Sequence, residues 1–364
     1  MPPLEHHPAK RPTLSDVASV AGTSVPTVSK VLRGGTDVSP ATRERVMSAV
    51  REVGYAKAGS RSSAKLSVSE APDLIHLVVN HVDGSWANRV LVGVEQAATA
   101  ANVDVVITIA RDDGEWVSRL LRRPSQGAVI VLVDPTSVQL AVLSAARIPV
   151  VLVTPMSRPA AAVPSVGVAN WEGGRSAAEH LLALGHRRFG IVSGGRDHMY
   201  NTARIDGFRS ALRDAGVEDC EVAYADWSRE QAAKRAAVLL SAETRPTAVF
   251  ACSDVMALGV LDAASEVGLS IPVDLSVVGF DDVPEAEWAN PPLTTVRQPI
   301  AEMGAEAVGL LFRSRAWQGR PESGSAPPRV DLSTTLVVRR STASVPRSPR
   351  SASAATHRAG ARIP

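Results

Sequence analysis

Only two cysteines, Cys220 and Cys252, occur among 364 residues. Two thiols cannot build a disulfide framework or a cysteine-rich metal cluster, so a reducing cytoplasm is the expected compartment, with the nucleoid as the working location. Aromatics are scarce, at 4% of the chain. Long apolar runs are missing as well: no stretch approaches the roughly 18 uncharged apolar residues of a membrane span, so no membrane partner is expected. The opening segment MPPLEHHPAKRP lacks the apolar centre of a secretory leader, which argues against a secreted binding protein. Catalytic signatures are also lacking. There is no nucleophile elbow, no GxGxxG after the first apolar run, no P-loop and no metal-ligand spacing. His81, His180, His186 and His198 share no helical spacing. Neither an enzyme nor a cofactor or metal is expected.

What the chain has is 45% apolar residues, ample for a folded core, over a length that fits two or three domains. The formal net charge of +2 conceals an uneven distribution. Residues 1–66 carry ten Lys/Arg against five Asp/Glu, residues 339–364 carry six Arg and no acid, and residues 67–338 hold 23 basic against 32 acidic side chains. A basic head on an acidic body fits a phosphate-binding module joined to a domain that binds something else, although chance clustering on a soluble surface gives the same count.

Residues 13–32, TLSDVASVAGTSVPTVSKVL, spell a small device. Thr13 is placed to cap a helix with Leu14, Val17, Ala18 and Ala21 at helical spacing. Gly22 supplies the break, and Ser24 is placed to cap a second helix with Val28, Val31 and Leu32 on one face. Two short helices joined by a tight turn form a helix-turn-helix whose second helix enters the major groove of DNA. A third helix follows, with Ser39 as cap, Pro40 at its first position and Val46, Val50 and Val53 as its stripe. Residues 1–12 read as a disordered arm, 13–55 as the head and 56–72 as a linker, because AKAGSRSSAKLSVSEAP is small, polar and basic.

From residue 73 the texture changes to short apolar runs: LIHLVV (74–79), VDVVITI (103–109), GAVIVLV (127–133), IPVVLVT (148–154), FGIVS (189–193), TAVFA (247–251) and LSVVGF (275–280). Helical patterns lie between them near 87–101, 136–146, 173–185, 202–215, 229–242 and 254–267. Continuous β-branched runs separated by helices predict parallel sheets covered on both faces, with ligands bound beyond the C-terminal strand ends. The strands are too many for one sheet, so two α/β subdomains facing a cleft are expected. Residues 341–364, rich in Ser, Arg, Pro and Ala without periodicity, read as a disordered basic tail.

The head resembles that of the LacI/GalR family of transcriptional regulators through TLSDVASVAG (13–22), TSVPTVSKVL (23–32) and VSPATRERVMSAVREVGY (38–55). In the body the resemblance continues through GVANWEGGRSAAEHLLALGHRRFGIVSG (167–194), ARIDGFRSAL (203–212), FACSDVMALGVLDAASEVGLSIPVDLSVVGFDD (250–282) and PPLTTVRQP (291–299). It covers about 13–340. It implies an all-α helix-turn-helix head, a hinge, and an α/β effector domain of periplasmic-binding-protein type at 73–340 that forms a homodimer. The expected N-subdomain is about 73–186 with 299–320, and the C-subdomain about 187–298 with 329–340.

The resemblance puts Lys30 where the family places a cation against guanine. A lysine can donate there, but lacks the planar fork of a guanidinium. Val25 and Pro26 stand where the family reads bases, and can offer only apolar contact, for instance with a thymine methyl. The hydroxyls of Ser24, Thr27 and Ser29 suit phosphate oxygens, which set register without reading sequence. Thr13, Leu14, Arg33, Ser39 and Thr42 complete the DNA-facing candidates, and each of the hydroxyl residues can equally be a helix cap. In the hinge (Tyr55, Arg61, Ala64, Leu66) the chain departs from the family: Ala64 stands where a minor-groove leucine wedge is usual, with Leu66 the nearest large apolar side chain.

Four of the six tryptophans, Trp86, Trp171, Trp227 and Trp288, are expected in loops just past strands. Flat aromatic faces near carboxylates and amides suit a sugar, although packing in a core or a subdomain interface is the plainer role. Motif matching carries effector contact onto Arg204, Trp227, Ser253, Asp254, Asp281 and Gln298. Asn170 and Trp171, with Asp83, Ser85 and Trp86, would line the other wall. Asp254 can also be a helix cap, Glu172 a carboxylate stabilising a helix start, and His186 a structural residue at a helix end. The expected protein is a homodimeric repressor that leaves a pseudopalindromic double-stranded operator when a sugar or oligosaccharide closes the cleft. The alternative is a co-repressor-dependent regulator sensing a nucleobase.

Overall fold

Three hydroxyl side chains start the N-terminal helices of the computed structural model, which describes residues 13–32, 38–53, 74–111, 114–159, 163–218, 220–317 and 327–345, the side chains of 51 and 314–317 excepted. Thr13 accepts from the Asp16 N–H and the Asp16 carboxylate accepts from the Thr13 N–H at 2.6 Å, a reciprocal cap on α1 (Leu14–Val20). Ser24 Oγ accepts from the Thr27 N–H at 3.3 Å to open α2 (Val25–Leu32). Ser39 accepts from Thr42 at the same distance to open α3 (Pro40–Glu52). Gly22, at φ +58°, takes the left-handed turn between α1 and α2 at no steric cost. The apolar stripes then face inward: Val17, Val28, Val31 and Val46 are fully buried. Each such valine contributes about 1.5 kcal/mol or more of transfer energy, which lets three short helices hold together.

The chain divides into two compact units, one made of the chain to Val168 with Pro299–Leu332, the other of Ala169–Gln298 with the residues from Ser333. In the first, the head is followed by β1 (Leu74–Val79), α4 (Ser85–Ala100), β2 (Asp104–Ile109), α5 (Trp116–Leu120), β3 (Ala128–Val131), α6 (Ser137–Ala145), β4 (Val150–Val153) and β5 (Ser165–Val168). The second holds α7 (Asn170–Ala183), β6 (Phe189–Ser193), α8 (Met199–Asp214), β7 (Val222–Tyr224), α9 (Arg229–Leu240), β8 (Ala248–Ala251), α10 (Asp254–Glu266), β9 (Ser276–Asp281), α11 (Pro284–Trp288) and β10 (Thr294–Arg297). The chain then returns to the first unit as α12 (Ile300–Trp317) and β11 (Arg329–Leu332), and to the second as β12 (Thr335–Val337).

Among the described residues, each unit has one six-stranded sheet. The first runs β11-β5-β4-β3-β1-β2, all parallel. The second runs β12-β10-β9-β8-β6-β7, parallel except for β12 against β10. The predicted runs at 74–79 and 189–193 are strands over the same residues, and β3, β6, β8 and β9 are buried at every position. That burial is the physical meaning of an uninterrupted apolar run.

Three expectations are corrected. The unit boundary falls between Val168 and Ala169, not near 186, because α7 packs backbone to backbone on α8. A Cβ at Gly174 would lie 2.0 Å from the Arg204 carbonyl oxygen, and one at Gly207 1.9 Å from that of Trp171. Residues 329–332 join the first unit rather than the second, since β11 pairs with β5 from Arg329↔Ser165 to Leu332↔Val168. The tail does not begin at 341. Ser341 is fully buried, its Oγ donates to the Val277 carbonyl at 2.6 Å and accepts from the Thr294 N–H at 2.8 Å, and Val345 N–H reaches Leu184 O at 3.0 Å. The expected arm at 1–12, the linker at 56–72 and residues 346–364 lie outside the described residues.

Candidate nucleic-acid interface and ligand site

In the head, burial of Val28 and Val31 turns the opposite side of α2 outward. Val25 is 39% exposed. Pro26 and Lys30 are exposed, and Ser29 is half-buried between them. The pairs Val25–Ser29 and Pro26–Lys30 are four residues apart, so the four share one face of the helix. The hydroxyl candidates are also caps: Ser24 Oγ and Thr27 Oγ1 lie 2.8 Å apart, and Ser39 Oγ donates to Thr42 Oγ1 at 2.9 Å. Thr13 sits in its reciprocal cap, and Leu14 is half-buried against the helical core. A cap bond leaves a hydroxyl with spare donor or acceptor capacity, so capping and phosphate contact are compatible. Arg33 and the hinge candidates Tyr55, Arg61, Ala64 and Leu66 lie outside the described residues.

The second unit gathers most of the predicted ligand residues around one buried cation. Arg204, on α8, is 3% exposed. Its Nε donates to Asn170 Oδ1 at 2.8 Å and its Nη1 to the Cys252 carbonyl at 2.6 Å, with Asp281 Oδ1 3.7 Å away. The Phe280 ring lies 3.8 Å from the guanidinium carbon. Gln298 Nε2 donates to the same Asp281 oxygen, and the Asp254 N–H donates to that carboxylate too. Burial pulls the Arg204 pKa down and lifts Asp281 to about 6, the lift being limited by Arg204 and Gln298. Asp281 and Asp282 take φ of +124° and +59°, strained values that the Arg297 and Arg339 ion pairs to Asp282 help to hold.

Asp254 stands differently from expectation. The cap of α10 is Ser253, whose Oγ accepts from the Met256 N–H at 3.2 Å. Asp254 is wholly buried and ties β10 to the turn before α11, accepting from Thr295 Oγ1 at 2.6 Å and from the Val283 N–H at 3.0 Å. Burial and the nearby Asp281 charge hold its pKa well above the ordinary value. Cys252 is likewise sealed, its thiol pushed up to about 11 by burial.

The tryptophans are not all in loops. Trp86 and Trp171 are the second residues of α4 and α7, and Trp288 ends α11, 77% exposed. Trp227 alone occupies a turn, between β7 and α9, at φ +60°. Its Nε1 donates to His198 Nδ1 at 3.0 Å, and Tyr200 tilts against it at 5.4 Å between ring centres. Tyr200 in turn lies 5.4 Å from the Arg204 guanidinium, which joins the aromatic cluster to the polar one. The sequence reading missed His198 and Tyr200; the only signal was their place just past the FGIVS strand. In the first unit, Asp83 is 93% exposed beside His81, and Ser85 and Trp86 are half-buried at the start of α4. No described helix is long and apolar enough to cross a membrane.

Two family models match the chain. Residues 13–57 match the model described as bacterial regulatory proteins, lacI family, and residues 178–342 that of a periplasmic binding protein-like domain. The chain is 34% identical over 347 residues to the HTH-type transcriptional regulator CelR of Thermobifida fusca, covering 91% of this chain and 98% of the relative. Among solved structures it is similar to a CelR–cellobiose complex, with TM-score 0.69, 32% identity, and coverage of 91% of this chain and 100% of that one. It is also similar to a lac repressor dimer bound to operator and the anti-inducer ONPF, with TM-score 0.66, 27% identity, and coverage of 92% and 100%.

Proposed function

The chain belongs to the LacI family of bacterial transcriptional regulators, and from that membership we propose a homodimeric, cytoplasmic repressor that a carbohydrate effector releases from its operator. The observation that carries the effector reading is the polar network around Arg204, with Asn170, Asp281 and Gln298, joined through Tyr200 to Trp227. Carbohydrates present apolar C–H faces for stacking and hydroxyls for charge-assisted hydrogen bonds, and these side chains offer both. In this reading Asp254 and Ser253 hold the network in place rather than touching the ligand.

On DNA, Lys30 donates to a base edge, Val25 and Pro26 make apolar contacts, and Ser24, Thr27, Ser29, Thr13, Ser39 and Thr42 meet phosphates. The effector acts by preferring the DNA-free state; moving an equilibrium from 1:99 to 99:1 takes about 5.5 kcal/mol of differential binding. The test is release of the full-length protein from the DNA upstream of its own gene, followed by anisotropy against glucose, cellobiose, longer oligosaccharides and free nucleobases. Release by a sugar supports the reading. Silence to every sugar sinks it, and tighter DNA binding with a nucleobase would establish the co-repressor alternative. Lys30→Ala should cost about 1–3 kcal/mol of operator affinity and relax specificity at the base pair that it meets.

A further inference from the structure

We propose that His198 is the positioning residue for Trp227, fixing its indole as a preset face of the ligand site; this rests on the effector reading above. The indole N–H lies in the ring plane. A 3.0 Å bond from it to His198 Nδ1, with the two rings 11° from parallel and their centres 5.9 Å apart, holds the imidazole against the indole edge with the two ring planes nearly parallel. Because Nδ1 accepts, the imidazole is the neutral tautomer with its proton on Nε2.

Two further restraints act on the same indole. Asp226 and Trp227 are consecutive non-glycine residues in the left-handed region, at φ +45° and +60°. The Gly194 backbone packs against the ring so closely that a Cβ there would lie 2.0 Å from Trp227 Cε2. Backbone strain and a glycine-only fit cost stability, and a hydrogen bond contributes it, all on the orientation of one half-buried side chain. Such expense is characteristic of sites where orientation has to be set before a ligand arrives. Without His198 the turn still forms, but the indole N–H loses its acceptor and the ring its angular restraint.

The experiment compares full-length His198→Asn, whose amide oxygen replaces Nδ1 as acceptor, with His198→Leu, of similar size and no acceptor. Cellobiose is titrated by tryptophan fluorescence, with thermal melting to confirm folding. Leu should weaken cellobiose binding about tenfold and Asn about threefold or less, as expected for loss and rescue of one positioning hydrogen bond. Undiminished binding by a folded Leu variant overturns the proposal. A ligand-free readout runs in parallel: histidine ¹⁵N NMR should show His198 Nδ1 unprotonated and hydrogen-bonded, with a shift in Trp227→Phe. A protonated Nδ1, or no shift, overturns it whatever the ligand proves to be. If cellobiose and every other sugar fail to bind while this signature is present, the carbohydrate reading fails and the positioning role stands.

Discussion

The central strands of the two α/β units run in one order, β2-β1-β3-β4-β5 and β7-β6-β8-β9-β10, yet the units bury different chemistry. Among the described residues, the buried polar side chains of the first unit are His76, Thr108 and Thr154. The second buries Arg204, Asp254, Asp281, Gln298, Asn201 and several hydroxyls. A buried polar group costs free energy unless a partner meets it, so the second unit's strand ends form a network in which each member orients the next. The corresponding edge of the first unit, His81–Asp83, is exposed. One topology thus carries both a preorganised polar site and a solvent-facing rim, and the strand order alone does not say which is which.

The comparison breaks most sharply at Arg204. Arg204→Leu leaves Asp281 and the Cys252 carbonyl buried without their cation, and should cost about 3–5 kcal/mol in urea unfolding. A loss under about 1 kcal/mol would mean the network is not a unit. Helix packing should behave alike in both units. Gly93→Ala meets Ala301 O in the first as Gly174→Ala meets Arg204 O in the second, and each should cost about 1–3 kcal/mol by overpacking. A large difference between the two would show that the helix pairs, and not only the polar groups, diverge.

Titration separates the buried carboxylate Asp281 from the buried histidines by sign, His76 in the first unit and His180 and His186 in the second. With its pKa lifted to about 6, Asp281 contributes stability that is fully present below the unfolded carboxylate value near 4 and is lost as pH rises through 6. Burial lowers His76, His180 and His186, whose contributions run the other way and are lost as pH falls. Asp281→Asn should lack a downward slope of about 1–2 kcal/mol between pH 4 and 7 that the parent shows. The smallest effect is expected at the rim: Asp83→Asn should change stability by less than about 0.5 kcal/mol. A larger loss would place Asp83 inside a network like that of the second unit.

Much of this was legible in the chain. Hydroxyl residues one position before an apolar stripe located the caps of α1, α2 and α3, because capping depends on neighbours three residues away. β-Branched runs located β1, β6, β8 and β9. The strands that escaped notice, SVGV, VAY, TTVR, RVDL and TLV, are short, and most of their residues are polar, small or only partly buried. The long α12 went unmarked because glycines at 304 and 309 interrupt its pattern; Gly304 is there so that Val90 of α4 can come close. Ser341–Val345 looked like tail for a related reason. Its partners, Val277, Thr294 and Leu184, are 47 or more residues away, and composition cannot register them.

The sequence by itself determined the helix-turn-helix, the alternation of strand and helix, and the identity of Arg204, Asp281, Gln298 and Trp227 as residues to watch. The first two depend on short-range periodicity, and the four residues on the resemblance to a known family, whose motifs lie contiguous in the chain. Tertiary structure decided the unit boundary at Val168, the bracing role of Asp254, and the pairing of His198 with Trp227 across 29 residues. A hydrogen bond or a backbone contact between distant segments exists only once the sheets have formed, and no local pattern encodes it.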